Sequence, residues 1–266
     1  MSGGLWRATQ AEVLMIWASR IPIVFCAAIP VGCFLVVFEL YHIEGARDRL
    51  ALDHALRALP VLFLAAWRLF VFQAAVVAFA AFWATVDSQY GMIRVMGAQP
   101  ISRVEYILGK WAGICVHIAV FAGVLILSLT GWAVAYSGVR GIGPADLAAF
   151  CRFATELLLL SLALGAIALS AASLRRTVGS GIVTALMALI GLAFMATLPF
   201  DVVPPRYVFV RYLFFPIQEF ANPFPGADGP FIRLYSFGDF FTVVVGTPLA
   251  MLMPSALWFR RRDITE

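Results

Sequence analysis

The chain has 266 residues, of which 62% are hydrophobic and 13% charged, with a net charge of +4 and a mean hydropathy of +0.93. A soluble domain is about 45–50% apolar and about 25% charged. The composition therefore excludes a soluble enzyme, a disordered chain and a secreted disulfide scaffold, and leaves a polytopic membrane protein.

At about 20 residues per spanning helix plus connections, the length accommodates roughly six spans and no second, soluble domain. Residues 1–20 carry Trp6, Arg7, Glu12, Trp17 and Arg20. They lack the short apolar core and small-residue cleavage site of a signal peptide. Trp6, Thr9, Val13, Ile16 and Trp17 share one helical face, so this segment is expected to lie as an interfacial helix with its tryptophans at headgroup depth. The first span is expected over 21–41, with Pro22 near its start, where proline is tolerated, and Pro30 as a kink inside it. Charges of both signs fill 43–58.

The second span ends near Val86. If it begins at Leu69, Arg68 snorkels at the outer interface; if it begins near Pro60, Arg68 lies deeper and needs a partner. A polar stretch, 87–110, leads to a third span over 111–136. A glycine-rich turn then precedes a fourth span at about 147–173. Arg175 and Arg176 form a short loop before a fifth span at about 178–198. Residues 200–236 hold six of the fourteen prolines and ten Phe or Tyr residues. Because irregular backbone cannot face lipid, this segment is expected to form short helices half-sunk in the outer interface. Their role is a gate or an aromatic anchor. A sixth span, about 237–259, ends at Arg260, Arg261 and Arg262.

Six spans put both ends on one side. With that side cytoplasmic, ten basic residues lie inside and seven outside, over longer loops, with Arg68 and Arg152 unassigned. The basic clusters at helix ends, 175–176 and 260–262, resist translocation most strongly. The composition, rich in Ala and Arg with Lys110 as the single lysine, points to a bacterial source and hence to the inner membrane. The expected fold is all-α: one transmembrane domain, 1–266, with an interfacial helix, six spans and short extracytoplasmic helices before the last span.

No catalytic constellation stands out. The sequence has no HExxH and no GxSxG, and Gly109-Lys110 is followed by Trp111 where a phosphate loop needs Ser or Thr. The cysteines, Cys26, Cys33, Cys115 and Cys151, have no CxxC spacing and read as small apolar residues. Ionisable residues in spans are expensive and therefore functional candidates. Glu39, Arg68, Arg152 and Glu156 are the candidates for a polar translocation path. Arg152 and Glu156, one helical turn apart, can equally form a local ion pair. Gly109 and Gly113 form a GxxxG that permits close helix approach.

The segment 87–110 is the most organised polar stretch. It reads Asp87, then Gly91, Ile93 and Arg94, then Pro100-Ile101-Ser102-Arg103, then Gly109-Lys110. Ser102 is placed to cap the next helix. The expected form is a short helix, a stop and a restarted helix, held at the membrane surface by Arg94, Arg103 and Lys110. This pattern resembles the loop after the second span in the permease subunits of ABC type-2 exporters. There it runs acid, three residues, Gly, one residue, Leu/Ile-Arg, then Pro-x-Ser-Arg and Gly-Lys. Asp87 stands where Glu is more usual, and Met92 where Thr is usual. The interfacial helix, six spans, long aromatic connection and terminal Phe-Arg-Arg-Arg-Asp fit the same likeness.

The resemblance implies that two permeases pair, as a homodimer or heterodimer, and bind a cytoplasmic ABC ATPase dimer that carries the ATP and Mg. This chain would hold no cofactor and bind no nucleic acid. Segment 87–110 would be the coupling element, with Asp87, Gly91, Arg94, Pro100, Ser102 and Arg103 its main residues. Segment 200–236 would be re-entrant. An alternative is a subunit that moves no substrate and passes ATPase motion to an extracytoplasmic partner. A stand-alone enzyme or channel is the third reading.

Overall fold

A computed structural model describes residues 2–42, 71–90, 102–137, 144–197, 241–246, 249–250 and 253. The described residues form helices and no strand. In chain order the helices are α1 (Ser2–Ala18), α2 (Ile21–His42), α3 (Val71–Gln89), α4 (Arg103–Ser137), α5 (Pro144–Ala172) and α6 (Val178–Thr197). Among the described residues, Ile21–Glu39, Val104–Tyr136 and Ala154–Ala172 are long and apolar enough to cross a membrane, and Val178–Phe194 is a shorter apolar helix. The expected sixth span is represented by helical residues 241–246, 249–250 and 253; the rest of it lies outside the described residues, as does segment 200–236.

α1 ends because Arg20 adopts a left-handed conformation (φ 63°). The N–H groups of Ser19 and Arg20 still bond back to Ile16 and Trp17 at 3.2 and 3.3 Å. The Ser19 hydroxyl donates to the Ile16 carbonyl at 2.6 Å and accepts from the Ile21 N–H at 3.3 Å, so one side chain closes α1 and opens α2. α2 continues through Pro30, whose carbonyl accepts the indole N–H of Trp132 at 3.1 Å.

α4 is the axis of the bundle. Its 35 residues span about 52 Å at 1.5 Å per residue, against about 30 Å of hydrocarbon core. Two helices in succession accompany it in parallel. The level of α1 rises from Gly4 beside Glu105 to Trp17 beside His117. α2 takes over, with Phe25 stacked on Phe121 at 5.3 Å and Phe34 tilted against Trp132 at 4.8 Å. α3 runs antiparallel to α4, with Phe79 against Phe121 near one level and Asp87 against Tyr106 and Lys110 at the other. Phe25, Phe79 and Phe121 thus join α2, α3 and α4 in one aromatic cluster in offset and edge-on geometries.

α5 and α6 pack on the remaining side of α3. The tight α5–α6 turn carries exposed Arg175 and Arg176. The Gln89 side-chain carbonyl accepts the Val178 N–H at 2.8 Å, so the last turn of α3 caps the first turn of α6. The basic turn, the end of α3 and the starts of α1 and α4 therefore gather at one end of the bundle.

α1 docks on α4 by one narrow face. Ala8, Glu12 and Ile16 are buried, whereas Trp6 and Leu14 are 63% and 70% exposed. The reason lies in α4. A Cβ added to Gly109 would sit 2.7 Å from the Ala8 Cβ, and one on Gly113 would sit 2.8 Å from the Glu12 Cβ. Only bare backbone at those two positions admits α1 this closely, so the small-residue stripe chooses the face and the tryptophans are left outside.

Candidate functional site

The polar side chains concentrate where α1, α3 and α4 meet. Asp87 lies in the last turn of α3, and Tyr106 and Lys110 lie one turn apart in the first turns of α4. Glu12 comes from α1, opposite Gly113. All four are buried: Glu12 and Asp87 are each 4% exposed, Lys110 3% and Tyr106 8%. The Lys110 ammonium forms a salt bridge to Asp87 Oδ2, and the Tyr106 hydroxyl donates to that same oxygen. Lys110 also donates to the Tyr106 oxygen at 3.4 Å and stands 3.8 Å from Glu12 Oε1. Glu12 Oε2 is buried and has no hydrogen-bond partner. Burial pushes the Glu12 carboxyl above its ordinary range, Lys110 pulls it back down, and the Asp87 charge adds to the upward push.

Immediately before this cluster, α4 begins with a capping box. Ser102 Oγ accepts the Glu105 N–H at 3.2 Å, and Glu105 Oε2 accepts the Ser102 N–H at 3.0 Å and its hydroxyl at 2.8 Å. Those hydrogen bonds hold the Glu105 carboxyl below its usual range. Ser102→Ala is expected to cost about 1 kcal/mol and to fray the first turn of α4. Faster amide exchange at residues 103–106, with the core of α4 unchanged, is the measurement that checks it.

Segment 87–110 is thus mostly helix at its two ends. α3 runs on through Gln89 and α4 has already begun at Arg103. Lys110, expected at the membrane surface, is instead buried against Asp87, because a single ammonium sits opposite two carboxylates in a pocket that excludes water. Asp87 is likewise turned inward. It anchors the base of the segment through Lys110 and Tyr106. Ser102 takes the capping role expected of it. Gly91, Arg94 and Pro100 lie outside the described residues, as does the Arg103 side chain.

Two of the four expected path residues are described. Glu39 is exposed on α2 and Glu156 is buried in α5. Arg68 and the Arg152 side chain lie outside the described residues, so the expected Arg152–Glu156 pair does too. Sequence reasoning missed Glu12, Tyr106 and Lys110 as partners of Asp87. One local signal was present: Gly4, Ala8 and Glu12 recur every fourth residue, as do Glu105, Gly109 and Gly113. The two stripes match turn for turn.

No family model matches the chain, and no curated protein matches it.

Proposed function

We propose that this chain is the transmembrane permease subunit of an ABC type-2 exporter. In this reading it has six spans, lies in a bacterial inner membrane with both termini cytoplasmic, and works as one of a pair on a separate ATPase dimer. The observation that carries the proposal is the buried Asp87–Lys110–Tyr106–Glu12 cluster. It ties together the end of α3, the start of α4 and the flank of α1, which are the two roots of the Gly91–Arg103 stretch and the helix beside them. A load applied to that stretch reaches all three helices at once, since separating the roots would part Asp87 from Lys110.

Two further features support the reading. α4 exceeds the hydrocarbon thickness by about 22 Å, and α1 accompanies it over residues 105–117, a length close to that excess. Arg175 and Arg176 lie at the same end as the roots, where the Lys/Arg bias of membrane proteins places the cytoplasm. The candidate coupling contacts are then Arg94 and Arg103, with Gly91, Pro100 and Ser102 shaping the stretch and Asp87 bracing it from within. Glu39, Arg68, Arg152 and Glu156 remain the candidates for a polar path, and segment 200–236 for an outer lid.

The test is affinity purification of the chain with its bound proteins, followed by ATPase assay in liposomes. An ATPase is expected to co-purify. Arg94→Glu is expected to weaken the complex by about tenfold or more, because it sets like charge against an acidic docking surface. It should also uncouple hydrolysis from transport. Full coupling in the variant would remove Arg94 from the interface, and a chain that purifies and transports without an ATPase would end the export reading.

A further inference from the structure

The cluster holds one cation and two carboxylates, and its oxygens are not equivalent. Asp87 Oδ2 receives both the Lys110 ammonium and the Tyr106 hydroxyl, whereas Glu12 Oε2 receives nothing and Glu12 Oε1 stands 3.8 Å from Lys110. An ionised carboxylate with a bare oxygen in a water-excluded pocket is unfavourable; the neutral acid is much less so. Asp87 is therefore the ionised member, and Glu12 carries the proton. Among the described residues, the remaining neighbours supply no second cation. On α4, Glu105 is occupied by Ser102, and the His117 Nδ1–H is donated to the Gly113 carbonyl at 2.8 Å. On α1, Arg7 and Arg20 are exposed.

We propose that Glu12 is a proton-binding site, and that drawing Asp87 away from Lys110 releases the proton because Glu12 then replaces Asp87 as the counter-ion of Lys110. In the step, the O–H bond of the Glu12 carboxyl breaks, its electron pair stays on the carboxylate, and the proton passes to water that enters as α3 parts from α4. Lys110 keeps its charge throughout. It has to move by less than a side-chain length, since both acids already flank it. Separation of the helix roots is thereby linked to proton release, and a lower pH in the water that bathes this end favours the closed arrangement. The inference rests on the cluster alone and holds whether or not the chain is an exporter.

The sign follows from linkage. A carboxyl whose folded value lies above the ordinary 4.5 contributes stability that is complete below that pH and is lost as pH rises through the folded value. Glu12→Gln, which mimics the neutral acid in shape, is expected to remove this part of the pH dependence.

The direct test is infrared spectroscopy of the full chain in lipid nanodiscs at neutral pH, followed through the carbonyl stretch of a protonated carboxylic acid. Wild type minus Glu12→Gln should show that band. The band should disappear in Asp87→Asn, although Glu12 is untouched, because Glu12 ionises to serve Lys110. It should persist in Lys110→Met, where no cation draws the proton off. A missing band in the first comparison, a surviving band in Asp87→Asn, a lost band in Lys110→Met, or a Glu12→Gln chain that no longer folds would each overturn the proposal.

Discussion

Replacing Lys110 with Met is expected to cost about 3–5 kcal/mol, the loss seen when one partner of a buried ion pair is removed. The methionine fills the space of the lysine stem, so the effect is electrical and not a cavity. Asp87 would be left buried with only the Tyr106 hydroxyl as a described partner, beside the Glu12 carboxyl on α1. The reciprocal change, Asp87→Asn, should cost less, about 1–3 kcal/mol, because Lys110 still has Glu12 at 3.8 Å. Denaturant unfolding of both variants in the same micelles measures the difference. The order Lys110→Met worse than Asp87→Asn is the expected result. The opposite order would mean that Glu12 offers Lys110 no support.

The second large effect is steric. Gly109→Leu cannot be accommodated while α1 is docked, since even a Cβ there lies 2.7 Å from the Ala8 Cβ and 3.3 Å from the backbone at Ala8 and Thr9. Backbone cannot step aside as a flexible side chain can. The expected outcome is release of α1 from α4, with a loss of about 3 kcal/mol or more and exposure of Glu12 and Lys110 to water. Protease cleavage within 2–18 and thiol labelling of a cysteine placed at Ile16 would report the release. Gly109→Ala is the graded version, about 1–3 kcal/mol. Adding Ala8→Gly should recover only part of that, because it removes the nearest atom and leaves the two backbone contacts. By comparison, Gly165→Ala meets the far end of the Ile118 side chain, which can rotate away, and is expected to be milder despite a shorter contact.

These two sites show how far a one-dimensional reading extends. The apolar runs predicted helices over 21–41, 111–136, 147–173 and 178–198, and α2, α4, α5 and α6 occupy those stretches with ends displaced by at most a few residues except at the start of α4. Hydropathy suffices there because a backbone in oil must satisfy its own hydrogen bonds, and a helix does so locally. The apolar run alone begins at 111, because Arg103, Glu105 and Lys110 interrupt the residues before it. What signals the true start is Ser102 with Glu105 three residues on, a local motif that needs no partner helix. The GxxxG at Gly109 and Gly113 was likewise visible, but which helix it receives was not.

From the sequence alone follow the all-helical character, with helices apolar enough to cross a membrane, and the cap at Ser102, because each depends on composition or on residues within a turn or two of one another. Tertiary structure alone decided that Lys110 points inward, that Glu12 across nearly a hundred residues stands beside it, and that α1 buries Ala8 against α4. Those outcomes depend on how closely two backbones can approach. That distance is set by two absent side chains on α4 and by where their counterparts fall on α1, a relation between faces that no single stretch of chain contains.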